Sequence, residues 1–248
     1  MPTSCTPDSC SHPLPRRRFL NASLAISAST FVGAATLSDV ACAGSMTKAQ
    51  RDKLTPDDVL ALMKKGNKRF SGGRRNDHNY LAQQRASASG QFPVAVLLSC
   101  IDSRAPAETI MDLRIGDIFN SRIAGNVESV DVLGGMEFAC KVMGSKLVLV
   151  MGHTACGAIK GAIDNAELGN LTALLAKIKP AVAATAYTGE RSSKNYAFVD
   201  AVARKNVELT LANIRSGSPV LAGMESSGTI KIVGAMYNLQ TGGIDFFA

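Results

Sequence analysis

The chain has 248 residues, of which 46% are hydrophobic and 19% charged, with 22 Gly, 9 Pro and no Trp. That composition excludes a disordered chain, and glycines without a period exclude a collagen-like one. Lys and Arg number 27 against 20 Asp and Glu, a net charge of +7. After Gly44 the basic residues are scattered, with one short run at Lys64, Lys65, Lys68, Arg69, Arg74 and Arg75. Nucleic-acid binding needs clustered charge and a recognition motif, so no nucleic-acid partner is expected.

The first 43 residues have their own grammar. Pro15-Arg16-Arg17-Arg18-Phe19-Leu20-Asn21 precedes a weakly apolar stretch from Leu24 to Leu37 and then Ala41-Cys42-Ala43. The apolar stretch is shorter than the roughly 20 residues of a spanning helix. Paired Arg before Phe-Leu, with small residues for signal peptidase, reads as a twin-arginine export signal. Residues 1–43 are therefore expected to be a signal peptide, recognised by the twin-arginine translocation machinery, and residues 44–248 one domain working in the periplasm. No later run approaches membrane length, so no membrane contact is expected after signal removal. Cys5, Cys10 and Cys42 leave with the signal, and Cys100, Cys140 and Cys156 remain. An odd number of cysteines in a chain of this length points away from a disulfide framework and toward metal ligation or a reactive thiol.

Residues 46 to 54 read as a flexible lead-in. Thr55-Pro56-Asp57-Asp58 then opens a helix, with Thr as cap and Pro in the first turn. It runs to about Phe70 on a stripe of Val59, Leu62, Met63 and Phe70, and Ser71-Gly72-Gly73 stops it. A polar stretch from Arg74 to Gly90, containing His78, leads to a buried strand over Phe92–Ser99. Beyond it come a helix over Ala107–Leu113, a strand over Asp117–Ile123, a helix over Val130–Met143 and a continuous apolar strand at Lys146–Met151. Helices over Gly157–Ile163, Leu171–Thr185 and Asn195–Ser216 precede a last strand at Thr229–Tyr237. Uninterrupted Val/Leu strands between helices are what a parallel sheet covered on both faces requires, so the fold class is α/β.

The chemistry gathers at two strand ends, where parallel sheets leave a crevice for ligands. One strand ends in Cys100-Ile101-Asp102-Ser103-Arg104, the other in Gly152-His153-Thr154-Ala155-Cys156-Gly157. Taken singly, Cys100 is an ordinary small buried residue, and His153 and Cys156 three apart are unremarked neighbours. Together they offer two thiolates and one imidazole, the donor set of a zinc site with three protein ligands and an open fourth position, which marks catalytic rather than structural zinc. Asp102, two residues past a ligand, can accept a hydrogen bond at the metal or occupy the fourth position itself. Arg104 can hold that carboxylate in a two-pronged pair.

Cys100-x-Asp102-x-Arg104 and His153-x-x-Cys156-Gly157 resemble the β-carbonic anhydrases. So do Gly116-Asp117-Ile118-Phe119, Arg122-Ile123-Ala124-Gly125-Asn126 and Gly234-Ala235-Met236-Tyr237, and the resemblance runs from about Leu54 onward. It implies a Rossmann-like, largely parallel sheet flanked by helices, N-terminal helices packing on a dimer partner, and a homodimer or homotetramer. It implies one Zn2+ per chain on Cys100, His153 and Cys156, with Asp102 and Arg104 as a gating dyad and Asp102 as a conditional fourth ligand. Carbon dioxide and bicarbonate are the implied ligands, interconverted by zinc-bound hydroxide. The substrate is expected to meet Gln91, nine residues before Cys100, together with Phe119 and Gly157. His78 is the one other histidine outside the signal and is a candidate proton shuttle. Asn120-Ser121 stands where the family has an apolar pair, and the absence of Trp removes the bicarbonate-inhibition pocket of one branch. Two alternatives share the ligand set: hydrolysis of carbon disulfide or carbonyl sulfide, and zinc or bicarbonate binding without turnover.

Overall fold

The computed structural model describes residues 46–247, so the expected signal at residues 1–43 lies outside the described residues. The central sheet has the strand order β2-β1-β3-β4-β5. Its strands are β1 (Ala95–Ser99), β2 (Ile118–Arg122), β3 (Leu147–His153), β4 (Lys231–Tyr237) and β5 (Ile244–Phe247). The first four are parallel, and β5 runs antiparallel beside β4. β1 and β3 lie inside the sheet with every residue buried, which is why both read as unbroken apolar runs.

Side-chain alternation along these strands divides the core in two. Ala95, Leu97, Leu147, Leu149 and Met151 pack beneath α2 (Pro56–Ser71) and α4 (Ala107–Ile110), with Val59, Met63, Ile110 and Met111. Val96, Leu98, Val148 and Val150 face the other way, toward α5 (Val130–Glu137), α9 (Tyr196–Gly217) and α10 (Pro219–Ser226). Each fully buried Leu or Ile contributes about 1.5–3 kcal/mol. A third apolar cluster, including Val127, Ile159, Ile178, Phe198 and Val202, surrounds Cys100 and Cys156 beyond the strand ends. Among the described residues no helix is long and apolar enough to cross a membrane.

Several local expectations are corrected. The lead-in contains α1 (Lys48–Asp52), capped by Thr47 and Gln50, and its Arg51 is buried. The polar stretch contains α3 (Tyr80–Ser87), capped by Asn79. The helix from Val130 changes to a π-helical turn at Phe138–Val142. The span Leu171–Thr185 is two helices, α7 (Gly169–Ala176) and α8 (Lys179–Ala184), because Pro180 fits only a first turn. α6 (Gly157–Ile163) is as expected, whereas α10 and β5 were not anticipated. Both α1 and α2 also make contacts within their own chain. Val59 and Met63 of α2 are fully buried in its own core, Asn67 donates to the carbonyls of Ile110 and Gly242, and Arg51 donates to the Met143 carbonyl.

Candidate metal centre

Strand register places the chemistry. Ser99 of β1 lies beside Met151 of β3, so Cys100 leaves the sheet level with Gly152 and His153. β3 then turns through Thr154 and Ala155 into α6, whose N-cap is Cys156. One ligand atom each from Cys100, His153 and Cys156 lies within 4.8 Å of the others, and the two sulfurs are 3.9 Å apart. Their residues are 4%, 1% and 1% exposed respectively.

The donor chemistry suits a metal. His153 Nδ1 lies 2.9 Å from the Thr154 carbonyl, which can only accept, so Nδ1 carries the proton and Nε2 keeps a free lone pair. That Nε2 is buried without a hydrogen-bond partner, an arrangement costing about 1–3 kcal/mol unless something fills it. The neighbouring Cys156 thiol chiefly lowers the pKa of Cys100, helped against burial by His153 and the backbone N–H groups of Gly125 and Asp102. Cys156 is driven up by the Cys100 sulfur and by burial. Burial works to lower His153, but the Cys100 sulfur, the Thr154 carbonyl and Asp102 outweigh it and raise the ring's pKa. Two buried sulfurs 3.9 Å apart beside an imidazole nitrogen without a partner are a donor set that a zinc ion fits. Cys140 has no such company, and burial pushes its thiol up to about 12.

The dyad forms as the spacing implied. Arg104 donates from its side chain to both oxygens of Asp102, at 2.9 and 2.7 Å, and its backbone N–H adds a third bond at 2.9 Å. The Arg104 guanidinium thereby holds the Asp102 carboxyl below the usual carboxylate range. Asp102 Oδ2 is 3.8 Å from His153 Nε2, beside the ligand cluster and turned onto Arg104.

The family model for carbonic anhydrase matches residues 95–244, the stretch that carries all five of these residues. Carbonic anhydrase 2 of Mycobacterium tuberculosis is 35% identical over 189 residues, covering 75% of this chain and 90% of that one. The carbonic anhydrase of Mycolicibacterium smegmatis is 33% identical over 196 residues, covering 77% and 92%. The chain belongs to the carbonic anhydrase family, β class. Among solved structures, the β-carbonic anhydrase CafA of Aspergillus fumigatus superposes with a TM-score of 0.58 at 27% identity, over 77% of this chain and 89% of that one. One of two tetrameric β-carbonic anhydrases from Sordaria macrospora gives 0.57 at 25% identity, over 64% and 82%. The β-carbonic anhydrases are zinc enzymes, and the three donors here fit that metal.

The remaining residues marked by the β-carbonic anhydrase resemblance are placed less uniformly. Gly157 follows Cys156 directly, is exposed, and has open space where a Cβ would stand. Phe119 lies on the outer strand β2 beside Val96 and packs edge-on against Phe138, in a groove of about 390 Å3 also lined by Val132 and Met136. Asn120, Ser121 and Asp131 line the same groove, and the Asn120 amide donates to the Glu108 carboxylate at 3.0–3.1 Å. Gln91 is exposed and precedes β1, whereas Cys100 follows it; the strand alone separates them by about 17 Å. The structure therefore does not bring Gln91 to its own chain's cluster. His78 is corrected as a shuttle: its side chain is buried, with Nε2 2.7 Å from Asp112 and Nδ1 3.2 Å from the Gln83 amide.

Residues without an assigned role complete the centre. Gly125, at φ 70, donates its N–H to Cys100 Sγ at 3.4 Å, and Asn206 of α9 holds the Gly125 carbonyl at 2.7 Å. Arg122 donates to the carbonyls of Cys100 and Asp102 at 3.0 and 2.5 Å. Asp200 accepts from the Ala155 N–H at 2.8 Å. Arg122 and Gly125 lie in a stretch already noted for its resemblance, so their positions were signalled. Asp200 and Asn206 sit in a long helix with no local motif.

Proposed function

We propose that this chain catalyses the reversible hydration of carbon dioxide to bicarbonate and a proton, as a lyase with one zinc per chain. The observation that carries this reading is the unfilled Nε2 of His153 among two buried sulfurs, directly beside an ionised Asp102 locked by Arg104. Bound there, zinc supplies the Lewis acidity that makes water a nucleophile near neutral pH.

The chain's own residues do the rest. Cys100, His153 and Cys156 hold the ion inside an apolar cluster that excludes competing water. Asp102 stays ionised at neutral pH and acts as an acceptor that orients the attacking water. Arg104 occupies both Asp102 oxygens and so keeps the carboxylate off the ligand cluster; loosening that grip is what would let Asp102 serve as a fourth ligand. Open space over Gly157 leaves room for a small substrate, and exposed Ile101, Ser103 and Arg104 set the rim of the cluster beside solvent, where buffer can take up the proton.

Gln91 is read as acting across a homodimer, or a tetramer built from such dimers, at the site of a second copy. Its exposed position at the opposite end of β1 supports this, as does an exposed apolar edge at Val130, Phe138 and Val142. Residues 1–43 are read as a twin-arginine signal and the working compartment as the periplasm, on the strength of Arg16-Arg17-Phe19-Leu20 and Ala41-Cys42-Ala43. Replacing Arg16 and Arg17 together by Lys should leave the protein in the cytoplasmic fraction; undiminished periplasmic recovery would remove that reading.

Stopped-flow carbon dioxide hydration and zinc quantification on one preparation test the function. Hydration proportional to bound zinc is expected, and zinc near one per chain without hydration would overturn the proposal.

A further inference from the structure

Four residues, His153 to Cys156, carry two of the three metal ligands through a turn from strand to helix. Such a turn would ordinarily use glycine, yet Ala155 occupies the left-handed region at φ 54. An L-residue there costs roughly 1–2 kcal/mol, and that conformation persists only where its surroundings over-determine it. The restraint comes from α9. Asp200 Oδ1 accepts the Ala155 N–H at 2.8 Å, a charge-assisted bond of the stronger kind.

The peptide plane joins this bond to the metal ligand. The Ala155 N–H and the Thr154 C=O belong to one rigid amide, and the Thr154 carbonyl is the group that accepts from His153 Nδ1 at 2.9 Å. Rotating that amide would withdraw the acceptor from Nδ1 and disturb both the tautomer and the ring orientation that present Nε2. It would also re-aim Cys156, the next residue. We propose that Asp200 is a positioning residue for the zinc ligands, acting through the Thr154–Ala155 amide to hold His153 and Cys156 in their binding orientations.

Two further observations support the assignment. Asp200 reaches the turn because α9 lies tightly against β3 at Gly152, where a Cβ would stand 2.8 Å from Met236 Sδ and 2.9 Å from Val207 Cγ2. The carboxylate is also held in a partly buried place that does not favour it: burial raises its pKa against the Ala155 N–H and the charges of His153 and Lys160.

The inference rests on the zinc reading of Cys100, His153 and Cys156, and its test separates the two. Zinc-loaded wild type, Asp200→Ala, Asp200→Asn and the packing control Ile214→Ala are each given excess chelator, and zinc release is followed. Cobalt-substituted samples are compared by their visible spectra. Asp200→Ala should release zinc about 10–100-fold faster, the usual consequence of losing a group that orients a metal ligand, with an altered cobalt spectrum. Asp200→Asn retains an acceptor oxygen and should stay within about threefold of wild type. Ile214→Ala, fully buried on the same helix but in the apolar cluster away from the ligands, should lower the melting temperature without a changed cobalt spectrum. If Asp200→Ala does not fold, Asp200→Glu keeps the charge but displaces the oxygen, and should release zinc faster than Asp200→Asn. Wild-type release and spectrum in Asp200→Ala, or in Asp200→Glu where that stands in, would overturn the assignment. So would an Ile214→Ala variant that reproduces the Asp200→Ala spectrum. Wild type that holds no zinc would overturn the reading of the site itself.

Discussion

Replacing Gly125 by Ala should destabilise the zinc-loaded protein by about 2–5 kcal/mol, from two independent effects. Gly125 sits at φ 70, where an L-residue costs roughly 1–2 kcal/mol. Its new Cβ would also lie 2.5 Å from Ile178 Cδ1 and 3.4 Å from Ile178 Cγ1. Ile178 is fully buried and has nowhere to swing, so overpacking adds about 1–3 kcal/mol. Gly73 separates the two effects, because it has φ 66 and nothing within 4 Å of its would-be Cβ. Gly73→Ala should therefore cost only about 1–2 kcal/mol. Urea unfolding at saturating zinc and fixed protein concentration gives both values from midpoint shifts. The same substitution displaces the Gly125 N–H from Cys100 Sγ, so zinc release should also quicken in Gly125→Ala and not in Gly73→Ala. Equal destabilisation of the two variants would refute the reasoning, since the turn would then be relaxing freely away from Ile178.

Asp102→Asn should keep its zinc while kcat/KM for hydration falls by about 10–100-fold, because an amide is a poorer acceptor and cannot pair its charge with Arg104. Stopped-flow rates with metal analysis check this; unimpaired turnover removes the role, and parallel loss of zinc would make Asp102 a ligand first. Asp112 gives a pH test. Burial works to raise its carboxyl pKa, but Arg69, His78 and the Asn76 N–H outweigh it and leave the pKa lowered. A carboxyl lowered on folding contributes stability fully above its unfolded value, about 3.9, and loses it as pH falls through the folded value. Asp112→Asn should thus be about 1.5–3 kcal/mol less stable at pH 7 and lack that part of the acid-side slope. Parallel stability curves for the two proteins from pH 6 to pH 2 would contradict it.

The parts of the fold visible in sequence are those governed by local pattern. Val94–Leu98 and Leu147–Met151 could only be interior parallel strands, and the ends of β1 and β3 carry the ligands because the register puts Ser99 beside Met151. β5 escaped notice because Ile244-Asp245-Phe246-Phe247 is too short to show a period and is only partly buried. The break before Pro180 was legible in principle, since proline cannot continue a helix interior. Gln91 entered through the family resemblance, and the extended strand between it and Cys100 sets it apart from its own chain's cluster. His78 looked solvated because its neighbours in sequence are polar, whereas the group that buries it, Asp112, is distant in the chain. Asp200 was invisible for the same reason. Its contact with Ala155 depends on how closely α9 approaches β3, which the bare Cα of Gly152 permits and no local motif announces.

The central claim is that two strand ends build one zinc centre from two thiolates and one imidazole. X-ray absorption at the zinc edge of the purified protein tests it most directly. The expected spectrum has two sulfur neighbours at about 2.3 Å and nitrogen or oxygen neighbours at about 2.0–2.2 Å, with one sulfur fewer, or no bound zinc, in Cys100→Ser. Four sulfur neighbours, none at all, or a wild-type spectrum in Cys100→Ser would contradict it.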